Sequence, residues 1–225
     1  MGATDPKVQR WALILGASSG IGEATARLSA EAGYNICGVY LGRSRGEKLD
    51  AAIAAVKATG VEALYIRGNA ADDEKRGEVI AQLGEKFAAA RAAGLTPQLG
   101  IVVHSLAFGS LQPFLPDGET PLITRKQMDM TSDVMAHSLV YWTQDLYAAG
   151  LIGNTTRIFA TSSEGASKAV PMYGAVSAAK AAVEAHCRQL ALELARLVPG
   201  ATVTALRPGV VDTPALRKIP GSQDW

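Results

Sequence analysis

The sequence predicts a doubly wound α/β fold, a parallel sheet with helices on both faces. Three observations carry this. Short apolar runs alternate with amphipathic stretches of helical length along the chain. A glycine turn, Gly16-Ala17-Ser18-Ser19-Gly20-Ile21-Gly22, joins the first apolar run to the first helical stretch, and no repeat or low-complexity tract interrupts the pattern. With 225 residues, 48% of them hydrophobic, the chain can bury one sizeable core, so 1–225 reads as a single domain.

The apolar run 11–15 stops at the glycine turn and hands over to a helical pattern over 23–32, closed by Gly33. Residues 36–41 read as the next strand, 47–59 as an alanine-rich helix ending at Gly60, 61–67 as a third strand and 72–93 as a long charged helix. A buried strand at 99–103, a helix at 124–149, a strand at 156–161, a helix at 173–197 and a strand at 201–206 complete the alternation. Helices of this length carry the chain back to the same edge of the sheet, which forces parallel pairing. Right-handed crossovers and a reversal of strand order then put a binding crevice at the carboxyl ends of the strands, where the glycine turn lies. The Pro- and Gly-rich stretch 109–122 is the long irregular connection.

A net charge of +1, with cations spread along the chain, offers no stripe for nucleic acid and no polybasic membrane patch, so a small-molecule role is favoured. Cys37 and Cys187 lack CxxC spacing and a histidine cluster, which predicts free thiols in a reducing compartment and no metal site. No charged-then-apolar leader opens the sequence and no uncharged run approaches the roughly 18 residues of a membrane span, predicting a cytoplasmic protein.

A turn that cradles a pyrophosphate needs bare backbone where it approaches phosphate, then a helix whose first free N–H groups point at the anion. Gly16, Gly20 and Gly22 supply this in GxxxGxG spacing, with Ser18, Ser19 and Ile21 between them, and the turn makes the sheet Rossmann-like. A tight strand-to-helix turn without ligand is the plainer alternative. At the end of the second strand an NAD enzyme places Asp or Glu for the ribose 2′-hydroxyl, whereas a 2′-phosphate wants arginine without a nearby carboxylate. Tyr40, Leu41, Gly42, Arg43, Ser44 and Arg45 stand there, predicting NADPH over NADH, unless Arg43 and Arg45 are merely solvated loop charges.

Over nearly its whole length the chain resembles the short-chain dehydrogenase/reductase superfamily. GASSGIG matches its glycine motif, Ala160-Thr161-Ser162-Ser163 its serine strand end, and Arg207-Pro208-Gly209-Val210-Val211-Asp212-Thr213-Pro214 its loop under the nicotinamide. The usual Tyr-x-x-x-Lys is missing, since Val176 stands four residues before Lys180; Tyr173 gives Tyr-x6-Lys instead. That spacing resembles the enoyl-acyl-carrier-protein reductases of the superfamily. So do Val103-His104-Ser105-Leu106-Ala107-Phe108, Thr124-Arg125-Lys126 and Ser132-Asp133-Val134, with Asp133 where ordinary members carry asparagine. Residues 41–48 and 212–218 look most like the NADPH-using variant.

The resemblance implies that Tyr173, Lys180 and Ser163 form the catalytic group. It places the dinucleotide on the glycine turn, on Asn69 and Ala70 at the adenine, on Ser105, Leu106, Ala107, Ser162 and Lys180, and on Pro208, Gly209, Val211 and Thr213. Ser163 has two readings, a bond to substrate or a cap of its loop, because many such reductases carry tyrosine there. His104 reads as backbone-positioning near the cofactor, and His137 and His186 as structural or surface residues.

The tyrosine shift has a geometric sense. Residues seven apart lie on nearly the same helix face, about 10 Å along the axis, against about 6 Å for four apart. In an enoyl thioester the hydride lands on C3 while negative charge appears further on, at the thioester oxygen, and a displaced phenol suits that oxygen. Tyr173 would bond the developing enolate, and the Lys180 cation would hold the nicotinamide ribose and stabilise the charge. The expected substrate is therefore an acyl thioester, on acyl carrier protein or coenzyme A. A 3-oxoacyl or general carbonyl reductase is the alternative, disfavoured by Val176; a non-catalytic dinucleotide-binding regulator is another. The resemblance also implies a homotetramer through 124–149 and 173–197, and a final strand beyond Trp225 that this sequence does not contain.

Overall fold

The structure, a computed structural model, describes residues 5, 7–42, 46–116 and 118–222. Six strands form one all-parallel sheet: β1 (Val8–Leu15), β2 (Asn35–Tyr40), β3 (Ala63–Arg67), β4 (Thr96–His104), β5 (Arg157–Thr161) and β6 (Thr202–Leu206), in the order β3-β2-β1-β4-β5-β6. That order reverses direction between β1 and β4 and opens the ligand crevice at their carboxyl ends, as expected for a doubly wound dinucleotide fold.

Helices α1 (Gly20–Glu31) and α2 (Glu47–Ala58) pack on one face, and α3 (Asp73–Ala92), α5 (Ser138–Ala148) and α6 (Gly174–Leu197) on the other. Burial on both faces explains the continuous apolar runs. Along β1, Trp11, Leu13 and Leu15 join one core cluster while Ala12 and Ile14 join the other, the alternation a pleated strand imposes. Each fully buried aliphatic contributes about 1.5–3 kcal/mol, so the strands that carry the site lie where the most apolar surface is buried.

Several element bounds depart from the sequence reading, two of them with a clear physical reason. The helix expected over 124–149 is α4 (Arg125–Ser132), a π-turn at Asp133–His137, and α5. Thr124 opens it with a capping box, its hydroxyl accepting from the Gln127 amide and Gln127 reaching back to the Thr124 N–H. The strand expected at 99–103 extends back through Pro97. Proline is tolerated there because β5 pairs with β4 only from Ile101 onward, leaving that side of Pro97 without a ladder partner. No helix among the described residues is long and apolar enough to cross a membrane.

Candidate active site

The glycine turn is anchored to its neighbours by backbone. The Gly16 and Ala17 amides both donate to the Val39 carbonyl, at 2.9 and 3.0 Å, and Gly16 has φ 95°, a left-handed conformation. A Cβ on Gly16 would stand 2.3 Å from the Ser105 carbonyl oxygen, and one on Gly22 2.1 Å from the Gly16 oxygen. Only glycine permits this packing of turn, helix and β4. Ser19 caps α1 in extended conformation with no side-chain cap bond, so the first-turn amides of Gly20, Ile21 and Gly22 stay open to an anion, while Ser18 lies half-buried beside them. This donor set fits the pyrophosphate of a dinucleotide.

Other predicted contacts gather on the same rim. Tyr40 ends β2; Arg43, Ser44 and Arg45 lie outside the described residues. After β3, the Asn69 side-chain carbonyl accepts from the Ala71 amide at 3.1 Å, which leaves its amide group for a ring edge. Ala70 is buried and its carbonyl accepts from the Trp142 indole at 2.7 Å. The Ser105 amide donates to Leu15, and the Leu106 side chain lies against Gly16, with Ala107 next in the chain.

Across the crevice, β5 delivers the serine segment to α6. Tyr173 is the N-cap of α6 and is buried, with its hydroxyl 3.5 Å from the Ser163 hydroxyl oxygen. That separation is at the long end of hydrogen-bonding distance. Ser163 also caps the short 3-10 turn Glu164–Ala166, accepting from the Gly165 amide at 3.2 Å, so it both caps its loop and touches the tyrosine. The Lys180 ammonium is buried and donates to the Thr161 carbonyl at 2.5 Å; burial pulls its pKa down to about 8. Val176, at the usual tyrosine position, is buried against Gly109 and contributes no hydroxyl.

His104 bonds through its side chain as well as through the strand. Its Nε2 lies 2.8 Å from the Ser138 hydroxyl, whose own proton goes to the Val134 carbonyl, so His104 donates and anchors the π-turn. Burial, with the Lys180 charge adding to it, pushes its pKa down to about 3 and keeps it neutral. His137 and His186, read separately in the sequence, meet with ring nitrogens 3.1 Å apart.

The Pro208-Gly209 loop, with Gly209 at φ 74°, exposes Val211 and brings Thr213 back over the glycine turn; a Cβ on Gly20 would stand 3.0 Å from the Thr213 methyl. Several site residues escaped sequence reasoning. The Ser162 hydroxyl, assigned to cofactor, donates to Glu184 at 2.5 Å, and Arg207 grips the same carboxylate with bonds of 2.6 and 2.7 Å. Glu184 thus ties the serine segment to the Pro208-Gly209 loop. Its spacing of four from Lys180 was the available signal, since both lie on one face of α6. Gly165 supports the Tyr173 ring, and Met172 turns the chain into Tyr173 at φ 61°, a strained conformation for a non-glycine residue.

Known proteins resemble the chain in sequence and in fold. Residues 16–225 match the family model described as enoyl-(acyl carrier protein) reductase. The chain is 39% identical over 94 residues to the 3-oxoacyl-[acyl-carrier-protein] reductase FabG of Staphylococcus aureus, covering 40% of this chain and 37% of that one. It is 32% identical over 123 residues to the NADH-named enoyl-[acyl-carrier-protein] reductase FabI of Aquifex aeolicus, covering 55% of this chain and 44% of the relative. These matches span less than half of either relative. An uncharacterized oxidoreductase of Bacillus subtilis, YhxC, is 28% identical over 205 residues, 91% of this chain and 65% of that one. Among solved structures, the reductase LugOII, which catalyses a keto-reduction, superposes with a TM-score of 0.73 at 27% identity, covering 90% of this chain and 74% of its own. A short-chain dehydrogenase from Burkholderia cenocepacia J2315 in complex with NADP gives a TM-score of 0.72 at 26% identity, covering 92% and 77%. The family match over residues 16–225, on this dinucleotide-binding fold, makes the chain a member of the short-chain dehydrogenase/reductases.

Proposed function

We propose that the protein reduces the trans-2 double bond of an enoyl thioester with NADPH, on a substrate carried by acyl carrier protein or coenzyme A. The glycine turn, the Asn69-Ala70 segment, residues 105–107 and the 208–213 loop would hold the dinucleotide. When bound, the nicotinamide supplies a hydride, received at C3 of the enoyl chain. The Tyr173 hydroxyl then turns from Ser163 to the thioester oxygen and donates to the enolate charge that develops there, and the enolate collapses to the saturated thioester as C2 takes a proton from solvent. The Lys180 ammonium, held on the Thr161 carbonyl, adds its positive field from a buried site where charges act strongly. Glu184 and Arg207 keep the serine segment in register with both.

The observation that carries this reading is the Tyr173–Ser163 pair combined with the buried Val176: the phenol stands at the seven-residue step, and none is available at the ketoreductase position. A 3-oxoacyl reductase is the second reading, favoured by the 39% identity to FabG over 94 residues. Comparing NADPH consumption with crotonyl-CoA and with acetoacetyl-CoA separates them, the first reading requiring the higher kcat/KM on crotonyl-CoA. Tyr173→Phe should then lose most of that activity; full retention would remove Tyr173 from the mechanism. We further propose a cytoplasmic homotetramer, assembled through α4, α5 and α6. An open groove of about 920 Å³ beside Arg125, Asp129, Met130 and His137 offers relief for a partner on that face.

A further inference from the structure

Arg67, from the neighbouring strand, lies across the end of β2, where a doubly wound fold reads the adenosine ribose. Arg67 ends β3 in register with Tyr40, the last residue of β2, and the two strands stay joined one residue further, where the Gly68 amide donates to the Tyr40 carbonyl at 2.8 Å. From there the arginine stem crosses Gly42. A Cβ on Gly42 would stand 2.2 Å from Arg67 Nε, 2.9 Å from Cδ and 3.0 Å from Cγ. Gly42 has φ 81°, so the position favours glycine twice over: for its backbone, and for the space the stem occupies.

The side chain is exposed, yet its stem lies along a defined track, which reduces the freedom a ligand would have to freeze out. Its charge is also available. Lys75, on the same rim, lays its stem on Gly68 and pairs with Glu78, whereas among the described residues Arg67 has neither an ion-pair nor a hydrogen-bond partner. A planar guanidinium on a packed stem at the ribose end of the crevice is suited to a phosphate dianion, and it lacks the carboxylate acceptor that favours a 2′-hydroxyl. We propose that Arg67 binds the 2′-phosphate of the dinucleotide and is a determinant of cofactor choice, contributed from β3 and separate from Arg43 and Arg45. This rests on the NADPH reading above.

Binding rather than turnover tests it. Dissociation constants for NADPH, NADH, 2′,5′-ADP and 5′-AMP are measured by calorimetry on the wild-type chain, Arg67→Gln and Arg67→Lys. The expected result is that Arg67→Gln weakens NADPH and 2′,5′-ADP by about tenfold or more and leaves NADH and 5′-AMP unchanged, since a hydrogen bond to a charged group is lost only where the phosphate exists. Arg67→Lys should fall between, retaining charge without the fork. Equal weakening of all four ligands would place Arg67 on the adenine and overturn the proposal, as would no weakening of any. A wild-type chain that prefers NADPH, with a preference that survives Arg67→Gln, sinks the Arg67 inference alone. A wild-type chain that binds NADH as tightly as NADPH sinks the NADPH reading with it.

Discussion

Replacing Gly165 with alanine should disable the enzyme without unfolding it. The added methyl carbon would stand 2.7 Å from Cε1 and 2.8 Å from Cδ1 of the Tyr173 ring, against the roughly 3.5–4.0 Å at which carbon atoms rest in contact. The ring must therefore retreat by about 1 Å, or the 3-10 turn must. The φ of Gly165 lies outside the left-handed region, so the backbone accepts alanine and the conflict is confined to the ring. Retreat of the ring carries the hydroxyl away from Ser163, already at 3.5 Å, and from the oxygen it serves. A misplacement of about 1 Å in a positioned catalytic group costs on the order of 10²-fold in rate. Steady-state kinetics should show kcat lower by about that factor, with the dissociation constant for NADPH little changed, because the ring supports substrate chemistry rather than cofactor. Thermal unfolding run in parallel establishes that the variant is folded. A folded variant with wild-type kcat would refute the idea that the position of Tyr173 on Gly165 matters to the reaction.

Four further outcomes follow from the structure. Lys180 has its pKa lowered by burial to about 8, so kcat/KM should fall as pH rises through that value and the ammonium is lost; Lys180→Met should abolish this alkaline limb along with most activity, and an unchanged limb would assign it elsewhere. For stability the sign is opposite: between about 8 and the ordinary lysine value the unfolded chain holds a proton that the folded chain has released, so this group makes stability rise with pH, a slope that Lys180→Met should remove. The Arg207 guanidinium holds the Glu184 carboxyl below its usual range, so its contribution is present above that range and is lost on acidification; denaturation midpoints of wild type and Glu184→Gln should converge as pH falls, and a constant gap would contradict the pairing. Gly77, exposed on α3 with open space where a Cβ would go, should gain about 0.5–1 kcal/mol on replacement by alanine, read as a higher denaturation midpoint.

Much of the fold was legible because it is written locally. Apolar runs bounded by glycine mark strands buried on both faces, and the GxxxGxG turn between Leu15 and α1 marks the crevice. Strand ends were less visible. Val8-Gln9-Arg10 extend β1 because ladder hydrogen bonds to Thr96-Pro97-Gln98 do not depend on side-chain polarity. The π-turn at Asp133–His137 leaves no mark on composition, since it changes one turn of bonding and no residue class. At the site, Tyr173 and Lys180 were readable from spacing along one helix. The groups that hold them were not: Glu184 reaches Ser162 across 22 residues, Gly165 matters only through the ring that lies on it, and Arg67 meets Gly42 only once β2 and β3 pair. Such contacts are made by tertiary structure, and a one-dimensional pattern carries no record of them.

The most direct test of an enoyl reductase is where the hydride goes. With NADPH deuterated at the transferable position and crotonyl-CoA as substrate, mass spectrometry and NMR of the product should find deuterium at C3 of a saturated thioester, and formation of that product should collapse in Tyr173→Phe. Untouched crotonyl-CoA, with deuterium appearing instead at the carbinol carbon of 3-hydroxybutyryl-CoA when acetoacetyl-CoA is supplied, would show a carbonyl reductase and contradict the role given to the Tyr173 phenol.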